Sequence, residues 1–155
     1  MIAVASINST RQSAKTQHVT QATYRLSKES RMSEQDSQQK IPFSQEAEEA
    51  VLGAILLDPD SYLKAALIID AKCFFRPVNQ IIFNGITALH ESRIPIDTIS
   101  LCHWLKSQNK LEQIGGSIYV DQLMGNVPAS WNIESYANIV RQKYVQREMA
   151  KTLII

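Results

Sequence analysis

The stretch 115–140, GGSIYVDQLMGNVPASWNIESYANIV, decides the fold. Two glycines end one element, a short helix follows with Ile118, Tyr119 and Leu123, and Asn126-Val127-Pro128 breaks it. A second helix then begins, with Ile133, Tyr136, Ala137 and Val140 at helical spacing and Tyr144 one turn further on. This is a joint between helices and holds no chemistry of its own. Function therefore has to be sought in what the joint connects.

Upstream of the joint, every segment from Ile41 also reads as helix. In IPFSQEAEEAVLGAILLD, Ser44 is the expected N-cap, with Glu46, Glu48 and Glu49 in the first turns, where acids favour the positive helix end. Val51, Leu52, Ile55 and Leu56 make its apolar stripe. In DPDSYLKAALIID, Asp58 is the expected cap, Pro59 the first helical residue, and Leu63, Ala66 and Leu67 the inner face. The next helix starts at Pro77 and carries Ile81, Ile82, Ile86 and Leu89, with Gly85 on the same face. A glycine inside a helix costs up to about 1 kcal/mol relative to alanine, so Gly85 predicts a close helix–helix approach. Asp97 caps a further helix that buries Leu101, Cys102 and Leu105. No segment alternates with the period of two that a half-buried strand requires. The expected fold class is all-α: a head of about five to six helices over residues 41–131, followed by one long helix over 132–155.

Residues 1–40 differ in texture. They are rich in Ser, Thr, Gln and Lys without a sustained apolar period, the composition of a disordered polar tail. Residues 1–28 carry four Lys/Arg and no acid, which also suits an organellar transit peptide, although a plain flexible extension is the first reading. The tail holds six Lys/Arg against three acids, and residues 41–155 hold ten against twelve. A mildly acidic folded part is a poor grip for phosphates, which disfavours a DNA-binding module. Cys73 and Cys102 lie far apart inside apolar patterns and read as reduced, packed thiols. No apolar run approaches the roughly 20 residues of a membrane span.

Catalytic patterns are missing. The sequence has no G-x-x-x-x-G-K-[ST], no G-x-G-x-x-G and no H-E-x-x-H. Cys102 and His103, adjacent on a helix, point about 100° apart and make no nucleophile–base pair. His90 reads as a cation near a helix C-terminus, and the three glutamates read as a solvated first turn. Lys143, Arg147 and Lys151 form a basic row that reads as solvated cations on the last helix. No catalytic, cofactor-binding or metal site is expected.

The last helix meets no glycine, proline or cap before Ile155, as though the chain were cut in mid-helix. Its apolar face drifts, from the row ending at Val140 and Tyr144 to one through Val145, Met149 and Leu153. Such a row is expected to meet another protein surface. Tyr144, Val145, Met149 and Leu153 are the candidate oligomer or partner contacts.

In order along the chain, IPFSQEAEEAVLGAILLDPD, FFRPVNQIIFNGI, PIDTISLCHWLK, LEQIGGSIYVDQL and NVPASWNIESYANIVRQK resemble the N-terminal domain of DnaB-type replicative DNA helicases. The resemblance covers Ile41 to about Lys151 and implies a helical head followed by an antiparallel helical hairpin, whose first arm is residues 132–155. It implies homodimeric pairing, three pairs forming a collar on a hexamer, and docking of a DnaG-type primase and a possible helicase loader. ATP, Mg²⁺ and single-stranded DNA belong, by the same resemblance, to RecA-like motor domains outside these residues. The compartment implied is the bacterial cytoplasm, or an organelle if the tail is a transit peptide. Trp131 departs from the family, which carries small residues there, and the indole must find cover. A stand-alone adaptor that binds and regulates a hexameric helicase is the alternative reading.

Overall fold

The computed structural model describes residues 40–153. The expected disordered tail, apart from Lys40, and the expected run of the last helix through Ile155 lie outside the described residues. Within them the protein has six α-helices, one 3-10 turn and no strand, in agreement with the all-α expectation. The helices are α1 (Gln45–Leu57), α2 (Ser61–Ala66), α3 (Pro77–Glu91), α4 (Thr98–Ser107), α5 (Gly116–Gly125) and α6 (Ile133–Leu153), with the 3-10 turn Ala71–Cys73 between α2 and α3.

Helix α1 is the central element. Ser44 has extended backbone and its Oγ accepts a hydrogen bond from the Ala47 N–H at 3.3 Å, as its position predicts. The helix is buried on every side from Ala50 to Leu56, because α2, α3, α5 and α6 all pack on it. Gly53 permits the closest of these approaches: a Cβ there would collide with the Leu123 backbone carbonyl of α5 and with the Val127 side chain.

Helix α2 starts later than expected. Asp58 does not cap it; Asp58 ends α1, its N–H donating to the Ala54 carbonyl at 2.9 Å. The Asp58 carbonyl in turn accepts from the Ser61 N–H at 3.0 Å and the Ser61 hydroxyl at 2.7 Å, so the chain turns once more before the helix begins. The buried face also differs from the expected one. Tyr62 and Ala65 point inward, while Leu63, Ala66 and Leu67, expected to be inside, are exposed.

Gly85 performs the role its position predicts. A Cβ there would lie 2.8 Å from Leu101 Cδ1 and 3.0 Å from the Trp104 ring, so α3 and α4 meet across it. Asp97 caps α4, its carboxylate accepting from the Ser100 N–H at 2.7 Å. Leu101 and Leu105 are buried and Cys102 is half-buried. Gly115, just before α5, and Gly116, its first residue, adopt positive φ, 101° and 75°, a conformation that favours glycine at the start of the new helix, while α4 has already ended at Ser107. On α5 the inward residues are Val120 and Leu123, whereas Ile118 is exposed and Tyr119 half-buried. Trp131 finds the cover it requires, half-buried against the core.

Helix α6 follows an N-cap by Asn132, whose side-chain carbonyl accepts from the N–H groups of Glu134 at 3.0 Å and Ser135 at 3.2 Å. Its 21 residues span about 31 Å at 1.5 Å per residue. Ile133, Ala137 and Val140 are buried against the body; no later side chain of the helix is.

Candidate functional site

The glutamates of α1 do not form a uniform solvated turn. Glu46 is exposed, but Glu48 is 1% exposed and sits at the N-terminus of α3. Its carboxylate accepts from the Phe75 N–H at 2.6 Å and from the Arg76 N–H at 3.4 Å, groups that precede α3 and have no helical partner. The buried Asn79 amide donates to Glu48 at 2.8 Å, and the Tyr119 hydroxyl donates to the Asn79 side-chain oxygen at 2.8 Å. Arg76 reaches Glu49 at 3.1 Å and Tyr119 at 3.3 Å, and Asn126 donates to Glu49 at 3.2 Å. Burial pushes the Tyr119 phenol above its ordinary pKa, against the opposing pull of the Arg76 guanidinium. This network ties α1, α3 and α5 together and leaves no buried side-chain polar atom unpartnered among the described residues. It is a structural lock in which every carboxylate oxygen is engaged; Glu49 and Asn126 also border a groove with Ser44, Pro128 and Tyr136.

Among the described residues, no group of three or more His, Cys, Asp or Glu side chains is placed to hold a metal ion. Both thiols are free, and burial raises the pKa of each. No described helix is long and apolar enough to cross a membrane. The ATP and Mg²⁺ implied by the resemblance find no fitting residues among those described, since the sequence has no phosphate loop and no described carboxylate cluster has ligand geometry.

What remains is a surface. Val145, Met149 and Leu153 are 39%, 63% and 87% exposed, one turn apart along a single face of α6. Exposure rises steadily toward the end of the helix. The fourth sequence candidate, Tyr144, differs: it is half-buried and packs on the core. Val145 also borders a groove with Leu67, Ile68 and Arg141, so the exposed Leu67 that follows α2 lies beside the start of the apolar row of α6.

The basic row on α6 dissolves into separate roles. Lys151 pairs with Glu148 at 2.7 Å on the same helix. Arg147 turns inward and donates to the Pro42 carbonyl at 2.8 Å and the Cys73 carbonyl at 2.7 Å. Its guanidinium lies 5.4 Å from the Phe75 ring and 5.8 Å from the Tyr144 ring, and Phe75 stacks on Phe43 at 4.6 Å. Arg141 donates to the Ile68 carbonyl at 2.9 Å. Sequence reasoning missed both arginines, because a cation at helical spacing reads the same whether its partner is water or a distant carbonyl.

A family model described as DnaB-like helicase N terminal domain matches residues 40–142. The replicative DNA helicase DnaB of Geobacillus stearothermophilus is 38% identical over 121 residues, 78% of this chain and 27% of that protein. The replicative DNA helicase DnaC of Bacillus subtilis (strain 168) is 35% identical over 111 residues, 72% of this chain and 24% of that protein. The chain thus spans about a quarter of the length of these curated relatives. In three dimensions it is similar to the N-terminal domain of DnaB helicase from Mycobacterium tuberculosis, with a TM-score of 0.70 and 29% identity over 72% of this chain and 81% of that one. It shares its fold with the N-terminal domain of DnaB helicase from Helicobacter pylori, at a TM-score of 0.61 and 20% identity over 70% and 85% of the two chains. That second structure is described together with its interactions with primase. The family match takes in α1 to α5 and the first half of α6, and stops just before Tyr144.

Proposed function

The chain belongs to the family of DnaB-like helicase N-terminal domains, and from that premise we propose that it acts as the collar of a replicative DNA helicase. Its work there is assembly: pairing with a second copy, so that pairs build a hexameric collar, and receiving a DnaG-type primase or a loader at the replication fork. Unwinding, ATP and Mg²⁺ would belong to motor domains in the part of the relatives' length that this chain does not span, in the bacterial cytoplasm where the chromosome is copied.

One observation carries the reading. The half of α6 that leaves the body presents Val145, Met149 and Leu153 to solvent in a single row. An apolar row of this kind on a charged helix is expected to be covered, because water contact costs each such side chain about 1.5–3 kcal/mol relative to burial. Tyr144, half-buried behind the row, braces the helix from inside. The primase described with the Helicobacter pylori domain supports a primase as the second partner.

The test replaces two residues far from the core. M149D/L153D is expected to give a monomer with unchanged helicity and unchanged thermal unfolding of the body. An undiminished mass with intact helicity would remove α6 from the interface.

A further inference from the structure

We propose that Arg147 is a clasp that fixes the direction in which α6 leaves the body, and that the half of α6 beyond Val140 is a releasable arm held by arginine–carbonyl bonds. The two halves of α6 are held by different physics. The first half buries Ile133, Ala137 and Val140 in the core. Beyond Val140 no side chain is buried, and Tyr144 alone of the described apolar residues keeps a half-buried contact with the core. Polar bonds attach the rest: Arg141 to the Ile68 carbonyl, and Arg147 to the carbonyls of Pro42 and Cys73.

Arg147 gathers three separate pieces of chain. Pro42 lies on the segment that enters α1, and Cys73 is the last residue of the 3-10 turn, whose carbonyl has no helical partner. Phe43 and Phe75, stacked at 4.6 Å, follow these carbonyls within two residues and present the ring over which the guanidinium lies. A planar fork with five donors can bond two carbonyls while its flat face covers an aromatic ring; an ammonium is a compact point charge with no such face. Past Arg147, the side-chain hydrogen bonds of Glu148, Lys151 and Thr152 stay within α6.

Opening this joint uncovers only the half-buried contact that Tyr144 makes with the core. Ile133, Ala137 and Val140 remain buried, and water can satisfy the freed carbonyls of Pro42 and Cys73 at a half-exposed junction. The arm can therefore separate from the body as a local event, well below the free energy of global unfolding. Its stability is set by a few charge-assisted bonds whose geometry has to be met at once, which makes the joint two-state.

Amide hydrogen exchange tests the clasp whatever the arm binds, provided that self-association is removed by carrying every variant in the M149D/L153D background. R147A is expected to speed exchange at amides 143–150 about tenfold or more, the loss of one or two charge-assisted hydrogen bonds, while amides 51–56 of α1 exchange as before. R147K, which keeps the charge, is expected to behave like R147A. Unchanged exchange at 143–150 in R147A would overturn the proposal. So would wild-type protection in R147K, because charge alone would then suffice. An equal rise in α1 would also overturn it, since Arg147 would then be holding the body and not the arm.

Discussion

Glu48 and Asn79, thirty-one residues apart in sequence, share a 2.8 Å hydrogen bond with both side chains buried. The carboxylate also takes the Phe75 and Arg76 N–H groups at the start of α3. Its charge is thus met by backbone donors and by the positive end of a helix, with no cation needed inside the body.

E48A should accordingly be among the most damaging substitutions in the head. It leaves the Phe75 N–H and the Asn79 amide unpaired in the interior and is expected to cost about 3 kcal/mol in urea unfolding. E48Q keeps the volume but turns an amide donor toward other donors, and should cost less than E48A but more than E46Q on the exposed side of the same turn. Equal stabilities for E48Q and E46Q would show that the lock is not what joins α1 to α3.

Tyr119 gives the same network a pH signature. Burial raises its folded pKa above the ordinary value of about 10, so folding favours the neutral phenol. The sign follows: this contribution is fully present below the unfolded pKa and is lost as the pH rises through the higher folded one. In an absorbance titration of tyrosinate, one phenol should ionise later than the rest and bring reduced stability with it. Y119F should remove that late step and cost about 1 kcal/mol at neutral pH, through the lost hydrogen bond to Asn79.

Two glycines should respond to alanine to different degrees. At Gly53 the obstacle is the Leu123 carbonyl, part of the α5 backbone, so α1 and α5 would have to move apart. G53A is expected to lose about 2 kcal/mol or more in chemical denaturation. At Gly85 the nearest atom is the tip of the Leu101 side chain, which can turn away, and the gain in helix propensity of up to about 1 kcal/mol offsets the crowding. G85A should lie within about 1 kcal/mol of the wild type.

Which features were legible in the sequence follows from the range of the interactions behind them. The Ser44 and Asp97 caps bond to N–H groups three residues away, and Gly85 lies in a strong apolar stripe, so each announces itself locally. Asp58-Pro59 offered one reasonable cap, yet the helix starts only at Ser61, after an Asp60 N-cap without a side-chain bond, while the Asp58 carbonyl accepts from both the backbone and the hydroxyl of Ser61. Leu63 and Leu67 face outward while Tyr62 and Ala65 are buried, a choice of face that packing makes and no local pattern records. Glu48 and Arg147 were misread for a different reason: their partners lie 27 to 31 and 74 to 105 residues away. On the candidate surface, the drift of apolar spacing along α6 identified Val145, Met149 and Leu153 as outward-facing, and they are exposed. Tyr144 ends the earlier row with Val140, and it packs toward the body.

The most direct measurement is the mass of the chain in solution by sedimentation equilibrium across a range of micromolar concentrations. A self-pairing collar domain should give twice the 17.5 kDa of one chain, or a higher multiple, with dissociation at dilution. A mass that stays at 17.5 kDa at every concentration would contradict assembly through α6.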